Sequence, residues 1–247
     1  MAKITIGSGR VGGPRLRAVD PWLPGKNLQS TRHQLLSDDE RARLATMATI
    51  VRFKKGEQVY SDGEPAKAIF NVISGLIKIY RARADGGEYV SAFLYPEDLF
   101  GLSEEGRYVN CAKAITPATL YSLPLDAIRR RLSKDADLEF HVIAKLCHEL
   151  RQAQHHALLL AQRHALSKLA MFLQLQEHVQ SADQPPSEIY LPMDRSDIAD
   201  YVGMSLAAVS RGFRSLVTRR VIEYRDRRHV KIIDRKALDA FAGNSGR

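Results

Sequence analysis

Ser210, Arg211 and Arg214 bring a hydroxyl and two guanidinium groups to one side of a short helical pattern. Donors at that spacing suit a partner that presents acceptors in a row, such as the base edges and phosphates of a nucleic acid. Ala207 and Thr218 share this face, and Ser205 stands where a side chain can cap the helix. The other side is apolar: Leu206, Val209, Phe213, Leu216 and Val217 recur at helical spacing. The helix is therefore expected to rest those five residues on a core and turn its donors outward.

A helix that reads a groove must be held at a fixed angle, and the residues around it provide the means. Within RSDIADYVGMSLAAVSRGFRSLVTRR, residues 195–220, Ala199 is small where two helices must pack closely. Gly203 permits the positive φ of a sharp turn, and Val209 plugs the buried side of the second helix. This is the pattern of a helix-turn-helix. A plain helical hairpin with solvated arginines is the competing reading, and the residues after the second helix weigh against it. Val221, Ile222 and Tyr224 make a strand-like run, 226–229 a turn, and Val230, Ile232 and Ile233 a second run. A β-hairpin after a recognition helix is a wing. Between Gly203 and Lys231, eight Lys and Arg residues face only Glu223 and Asp226, a local excess of +6 in a chain of net charge +9. That concentration fits a phosphate backbone, with Arg228 as the wing cation that would meet it.

The composition narrows the field. At 247 residues and 45% hydrophobic, the chain is long enough for one or two globular domains. It has no run of about 18 apolar residues, and its first residues lack the apolar core of a secretory signal. Two cysteines, Cys111 and Cys147, outside any CxxC, suit a reduced cytoplasmic protein. GxSxG, HExxH and P-loop motifs are missing, so nothing favours catalysis and the expectation is a protein that is not an enzyme.

The elements that position the basic segment are legible in outline. Residues 1–34 are rich in Gly, Pro and Arg and read as a flexible extension. Residues 35–134 read as an antiparallel β-roll punctuated by glycines, with hairpins expected at Ser74-Gly75 and at Asp85-Gly86-Gly87. A long helix is expected over 135–163, on the order of 43 Å. Ile143, Leu146, Leu150, Ala153, Ala157 and Leu160 repeat along it at alternating steps of three and four, the seam of a coiled coil. A helix with such a seam most simply pairs with its own copy. A further helix over 164–180, a break at 181–187 and a short strand at 189–193 lead into the helix-turn-helix, so 164–247 reads as one DNA-binding unit.

A β-roll of the cyclic-nucleotide-binding kind, a dimerisation helix and a C-terminal winged helix-turn-helix, an α+β chain in that order, resemble the Crp/Fnr superfamily of transcription regulators, and its Fnr/FixK branch in particular. The resemblance spans about residues 35–240 and rests on FKKGEQVYSDGEPAKAIFNVISGLIKIY, LLLAQRHALSKLAMFL and RSDIADYVGMSLAAVSR. It implies a homodimer on a palindromic operator, double-stranded DNA and RNA polymerase as partners, and the loop from Arg83 to Glu88 as a candidate polymerase contact. It also implies that Arg211 meets a guanine edge, Ser210 a neighbouring base or phosphate, and Arg195 a phosphate. The branch carries Glu-x-x-Ser-Arg in its recognition helix; here Ala207 stands in the place of that Glu. Alanine can only pack against a thymine methyl, so the half-site is expected to differ there.

The superfamily couples a small effector to DNA binding. For cyclic AMP it uses Gly-Glu and, further on, Arg-Ser; here Gly101 precedes Leu102, and Tyr108-Val109 occupy the place of Arg-Ser. A phosphate buried there would lack its cation. Two cysteines are too few for an iron–sulfur cluster within one chain. No cofactor is identified. A haem axial ligand among His141, His148, His155 and His156 stays open as an alternative, as does a cyclic-nucleotide-responsive module acting on the same DNA-binding unit. On the heptad His141, His148 and His155 take an outer position, which predicts a solvated stripe or one brushing the roll.

Overall fold

Short runs of alternating residues from 49 to 124 close into two four-stranded sheets. The computed structural model describes residues 46–103, 105–180 and 188–243; the expected extension at 1–34, the break at 181–187 and the side chain of His141 lie outside the described residues. One sheet has the order β1 (Thr49–Phe53), β8 (Ala118–Pro124), β3 (Ala68–Ser74) and β6 (Leu99–Phe100). The other has β2 (Gln58–Tyr60), β7 (Cys111–Ala114), β4 (Ile77–Ala82) and β5 (Glu88–Leu94). Neighbouring strands in both run antiparallel.

The expected hairpin at Ser74-Gly75 is not formed. β3 pairs with β6 and β8, while β4 pairs with β5 and β7, so Ser74-Gly75 carries the chain from one sheet to the other. Gly75 has φ +90°, and a Cβ there would lie 2.4 Å from the Pro117 carbonyl oxygen. Glycine is required at this crossing by both conformation and space. The hairpin at 83–87 does form, pairing Tyr80 with Val90 and Ala82 with Glu88.

Four rings fill one end of the roll interior. Tyr60 stacks on Tyr108 at 3.8 Å between centroids, and Phe70 lies 5.4 Å from Phe100 and 6.0 Å from Tyr60. All four side chains are buried. The Tyr108 hydroxyl donates to the Ala68 carbonyl at 2.8 Å, which anchors the ring.

A short helix not anticipated from the sequence, α1 (Leu125–Leu132), follows the roll and buries Ile128 against Ile69 and Leu123. The long helix α2 (Ala136–Ala161) comes next. Asp135 caps it, accepting from the Leu138 amide at 3.2 Å. It stops two residues short of the expected end because Gln162 turns extended. Leu138, Lys145, His148 and Leu159 point inward and are buried. The histidine stripe therefore brushes the protein rather than solvent at His148. His156 is also engaged: its Nε2 donates to the Tyr201 carbonyl at 2.7 Å, its ring stacks on Tyr201, and burial holds its pKa below the ordinary value.

The C-terminal elements are α3 (Ala165–Gln180), β9 (Ile189–Tyr190), α4 (Arg195–Val202), α5 (Leu206–Thr218), β10 (Ile222–Tyr224), β11 (His229–Ile232) and α6 (Arg235–Phe241). β9 is shorter than the expected 189–193 and pairs with β11, making a three-stranded sheet in the order β10-β11-β9.

This unit sits directly on the roll. One apolar cluster runs from Leu76, Val90 and Phe93 in the roll to Leu173, Ile198 and Val202. Beside it, Lys78 on β4 is only 6% exposed and reaches across to α4, donating to Asp197 Oδ1 at 2.7 Å and to Glu88. Lys113 holds the other oxygen of Glu88 at 3.3 Å. Burial opposes the charge on Lys78, but Asp197 and Glu88 outweigh it and keep the ammonium above its ordinary pKa.

Candidate nucleic-acid interface

α4 and α5 meet at the turn the sequence marks. Asp194 and Asp197 form a reciprocal capping box at the start of α4. Gly203 ends that helix at φ +62°, and Ala199 is buried under the crossing. Ser205 caps α5 by accepting from the Ala208 amide at 3.2 Å.

α5 is anchored by Val209, Gly212, Phe213 and Leu216, all buried. A Cβ at Gly212 would lie 2.4 Å from Leu169 Cδ1, so the Leu169 side chain of α3 packs directly on the backbone of α5 there. Two residues expected in the apolar stripe are elsewhere: Leu206 is 51% exposed and Val217 is 37% exposed. At about 100° per residue both fall at the border of the stripe, where periodicity cannot assign a side. Leu206 thus joins Ala207 at the outward tip of α5. Sequence reasoning missed it because an apolar residue at helical spacing looks like core.

Ser205, Ala207, Ser210, Arg211 and Arg214 are all exposed on α5. Arg211, Arg214, Ser215, Thr218 and Arg219 line an open concavity along it. The wing comes next in the chain, held by the Asp226 carboxylate. Asp226 accepts from the Arg228 amide at 2.7 Å and the His229 amide at 3.0 Å, and its other oxygen meets His229 Nδ1 at 2.8 Å. The Arg228 amide is the largest cause that brings the Asp226 pKa down to about 2, so the turn keeps its acceptor charged at neutral pH.

Two expected contacts are placed inward. Arg228 donates from Nη1 to the Pro192 carbonyl at 2.9 Å and lies 3.5 Å from Asp194, tying the wing to the start of α4. Arg195 lies over the rings of Phe213 and Tyr224. Arg227 and Lys231 are exposed on the wing and make no ion pair among the described residues, so they are its outward cations.

Two family models match the chain. Residues 50–135 match a cyclic nucleotide-binding domain, and 167–241 match a Crp-like helix-turn-helix domain. The chain is 31% identical over 207 residues to a nitrogen fixation regulation protein, FixK, of Azorhizobium caulinodans, covering 81% of this chain and 83% of that one. The chain belongs to the Crp/Fnr superfamily. A second FixK relative, from Rhizobium meliloti, is 31% identical over 190 residues, 76% of this chain and 85% of that one. The FixK2 structure from Bradyrhizobium japonicum superposes with a TM-score of 0.73 at 28% identity, over 78% of this chain and 96% of that one. As a Crp/Fnr protein of the FixK/Fnr type, the chain is a transcription regulator with a helix-turn-helix DNA-binding domain. No helix among the described residues is long and apolar enough to cross a membrane.

Family membership raises the question of an effector. The end of the roll around Gly101 is packed with rings: a Cβ on Gly101 would lie 3.2 Å from Phe70 Cδ2 and 3.4 Å from Tyr108 Cε1. Tyr108, where the superfamily's phosphate-binding Arg would stand, is buried and stacked on Tyr60. These residues do not fit a cyclic nucleotide phosphate, which needs a cation and open donors.

Proposed function

We propose that this regulator binds a roughly palindromic operator as a homodimer in the cytoplasm, with α5 in the major groove, and activates transcription through contact with RNA polymerase. On this reading 35–134 is a β-roll sensor domain, 135–163 pairs the subunits, and 164–247 reads DNA. The observation that carries the proposal is the outward face of α5, where Ser210, Arg211 and Arg214 are exposed on a helix pinned by buried Val209, Phe213 and Leu216.

Pairing is supported by the outer side of α2. Ile143, Leu146, Leu150 and Leu160 are 42–60% exposed, Ala153 and Ala157 are exposed with them, and Phe140 extends the stripe at 63%. An apolar row of that length facing solvent is a protein-binding surface. For the polymerase, the 83–87 hairpin offers a rigid tip, since Asp85 accepts from the Gly87 amide at 3.1 Å and pairs with Arg83. Glu88, at its base, is committed to Lys78 and Lys113.

Arg211→Ala is expected to cost about 1–3 kcal/mol on the best operator and to relax preference at one position per half-site. Arg227→Ala should weaken operator and random duplex alike and reduce the salt slope by about 0.9 for each phosphate that the guanidinium neutralises. Titrations on both duplexes across salt check this; equal losses on the two duplexes for Arg211→Ala would remove its base-reading role.

Leu206 and Ala207 give α5 an apolar tip suited to thymine methyls. Ala207→Glu adds an acceptor there and should move preference toward cytosine at the facing position by about 1–3 kcal/mol. Parallel selection from a random DNA pool reads the change. Identical preferences for the two proteins would mean that residue 207 faces no base.

A further inference from the structure

The geometry assigns Arg195 to a positioning role: it is a brace that fixes the recognition helix against the wing, and it does not hold a DNA phosphate. The inference rests on the DNA-reading role of α5 and deepens it. Arg195 opens α4, yet its guanidinium folds back over two rings of other elements. Its carbon lies 3.8 Å from the centroid of Phe213 on α5 and 5.2 Å from that of Tyr224 on β10. Nη2 donates to the Tyr224 hydroxyl, and Nη1 is buried with no hydrogen-bond partner. One side chain therefore touches the first helix, the recognition helix and the wing.

Each contact uses something only arginine has. The guanidinium carbon sits over the Phe213 ring while Nη2 donates to Tyr224, so both rings are held by one rigid group. The rings themselves stand 6.1 Å apart at 52° and do not stack on each other. Without the guanidinium lying against both, the angle between α5 and the β10-β11 hairpin loses the group that ties the two rings to the start of α4. Reaching out to a phosphate would break both ring contacts and the bond to Tyr224. Burial pushes the Tyr224 phenol up in pKa and Arg195 draws it back, which shows how closely the two are engaged.

The two roles differ in what they do to selectivity and to salt dependence. A phosphate contact adds affinity for every sequence and contributes about 0.9 to the salt slope in each subunit. A brace adds nothing to the slope but sets where Arg211 meets its base. Affinities of the full-length wild type, Arg195→Met, Arg195→Lys and Tyr224→Phe are to be measured on the selected operator and on random duplex, at several salt concentrations. For Arg195→Met the expected result is a fall of about tenfold in the operator-to-random ratio with the slope unchanged. Arg195→Lys keeps the charge but not the fork and should leave selectivity lowered. Tyr224→Phe should lower it about threefold, also without a slope change, by removing only the hydroxyl acceptor.

A slope reduced by about 0.9 per subunit in Arg195→Met, with the ratio preserved and restored affinity in Arg195→Lys, would overturn the inference. If Arg195→Met does not melt cooperatively, Tyr224→Phe decides, and unchanged selectivity there overturns the brace. A wild type with no operator preference defeats the DNA-reading proposal itself, a different result from a selective wild type whose Arg195 variants stay selective.

Discussion

Leu150→Asp is expected to turn the protein into a folded monomer that no longer holds its operator. Leu150 is 60% exposed on the single chain, so an aspartate there costs the subunit little. In a pair the arithmetic reverses. Two leucines lose burial worth about 1.5–3 kcal/mol each, and two carboxylates face each other in an apolar seam, where desolvation adds several kcal/mol per ion. A dimer constant weakened by roughly a hundredfold or more results from the lost burial alone, about 3–6 kcal/mol for the two leucines. Light scattering should give the monomer mass at micromolar concentration while the far-UV signal of the helices survives. Operator affinity should fall toward that of a single half-site. A dimer that persists at micromolar concentration would place the subunit interface elsewhere than on α2.

Sequence and architecture agree wherever one residue's chemistry decides the local structure. Ser205 caps the recognition helix, Gly203 makes the turn at φ +62°, and Asp85-Gly86-Gly87 closes a hairpin. They diverge where the answer depends on partners distant in sequence. Apolar runs flanked by glycine identify β3 and β4 as strands but are silent on pairing, and Pro117 leaves room only for glycine where the chain crosses at residue 75. Charge counting finds the basic segment but not its orientation: Arg195 and Arg228 turn inward while Arg211, Arg214 and Arg227 face out. Ion pairing between Lys78 and Asp197, 119 residues apart, has no local signature at all.

That ion pair carries the second large effect. Lys78→Met is expected to destabilise the protein by about 3 kcal/mol, the lower end for removing one partner of a buried pair. Its loss leaves Asp197 and Glu88 facing each other with Lys113 alone, and Lys113 reaches only Glu88. The damage also reaches α4, because Asp197 Oδ2 accepts from the Asp194 amide as part of the capping box. A midpoint lowered by roughly 6–12 °C is the expected thermal result for a chain of this size. Proteolysis should rise at Gln162–His164, the link between α2 and α3, as the DNA-binding unit leaves the roll. Lys78→Met/Glu88→Gln should recover part of the loss, since it removes one of the stranded carboxylates.

The same network predicts a pH profile. Burial would raise the Glu88 pKa, but Lys78 and Lys113 hold it below its ordinary 4.5. Its contribution is therefore complete above 4.5 and is lost as pH falls through the lowered value. Lys78 is raised above 10.5, so its contribution is complete below that and is lost only as pH climbs past it. Docking of the DNA-binding unit should thus be flat above pH 6.5 until Lys78 titrates, weaken below 6.5 as His156, buried against Tyr201, takes up a proton, and weaken further as Glu88 is protonated. An unchanged midpoint and unchanged proteolysis in Lys78→Met at pH 7 would show that the apolar contacts of Phe93 and Tyr201 hold the unit on the roll without the ion pair.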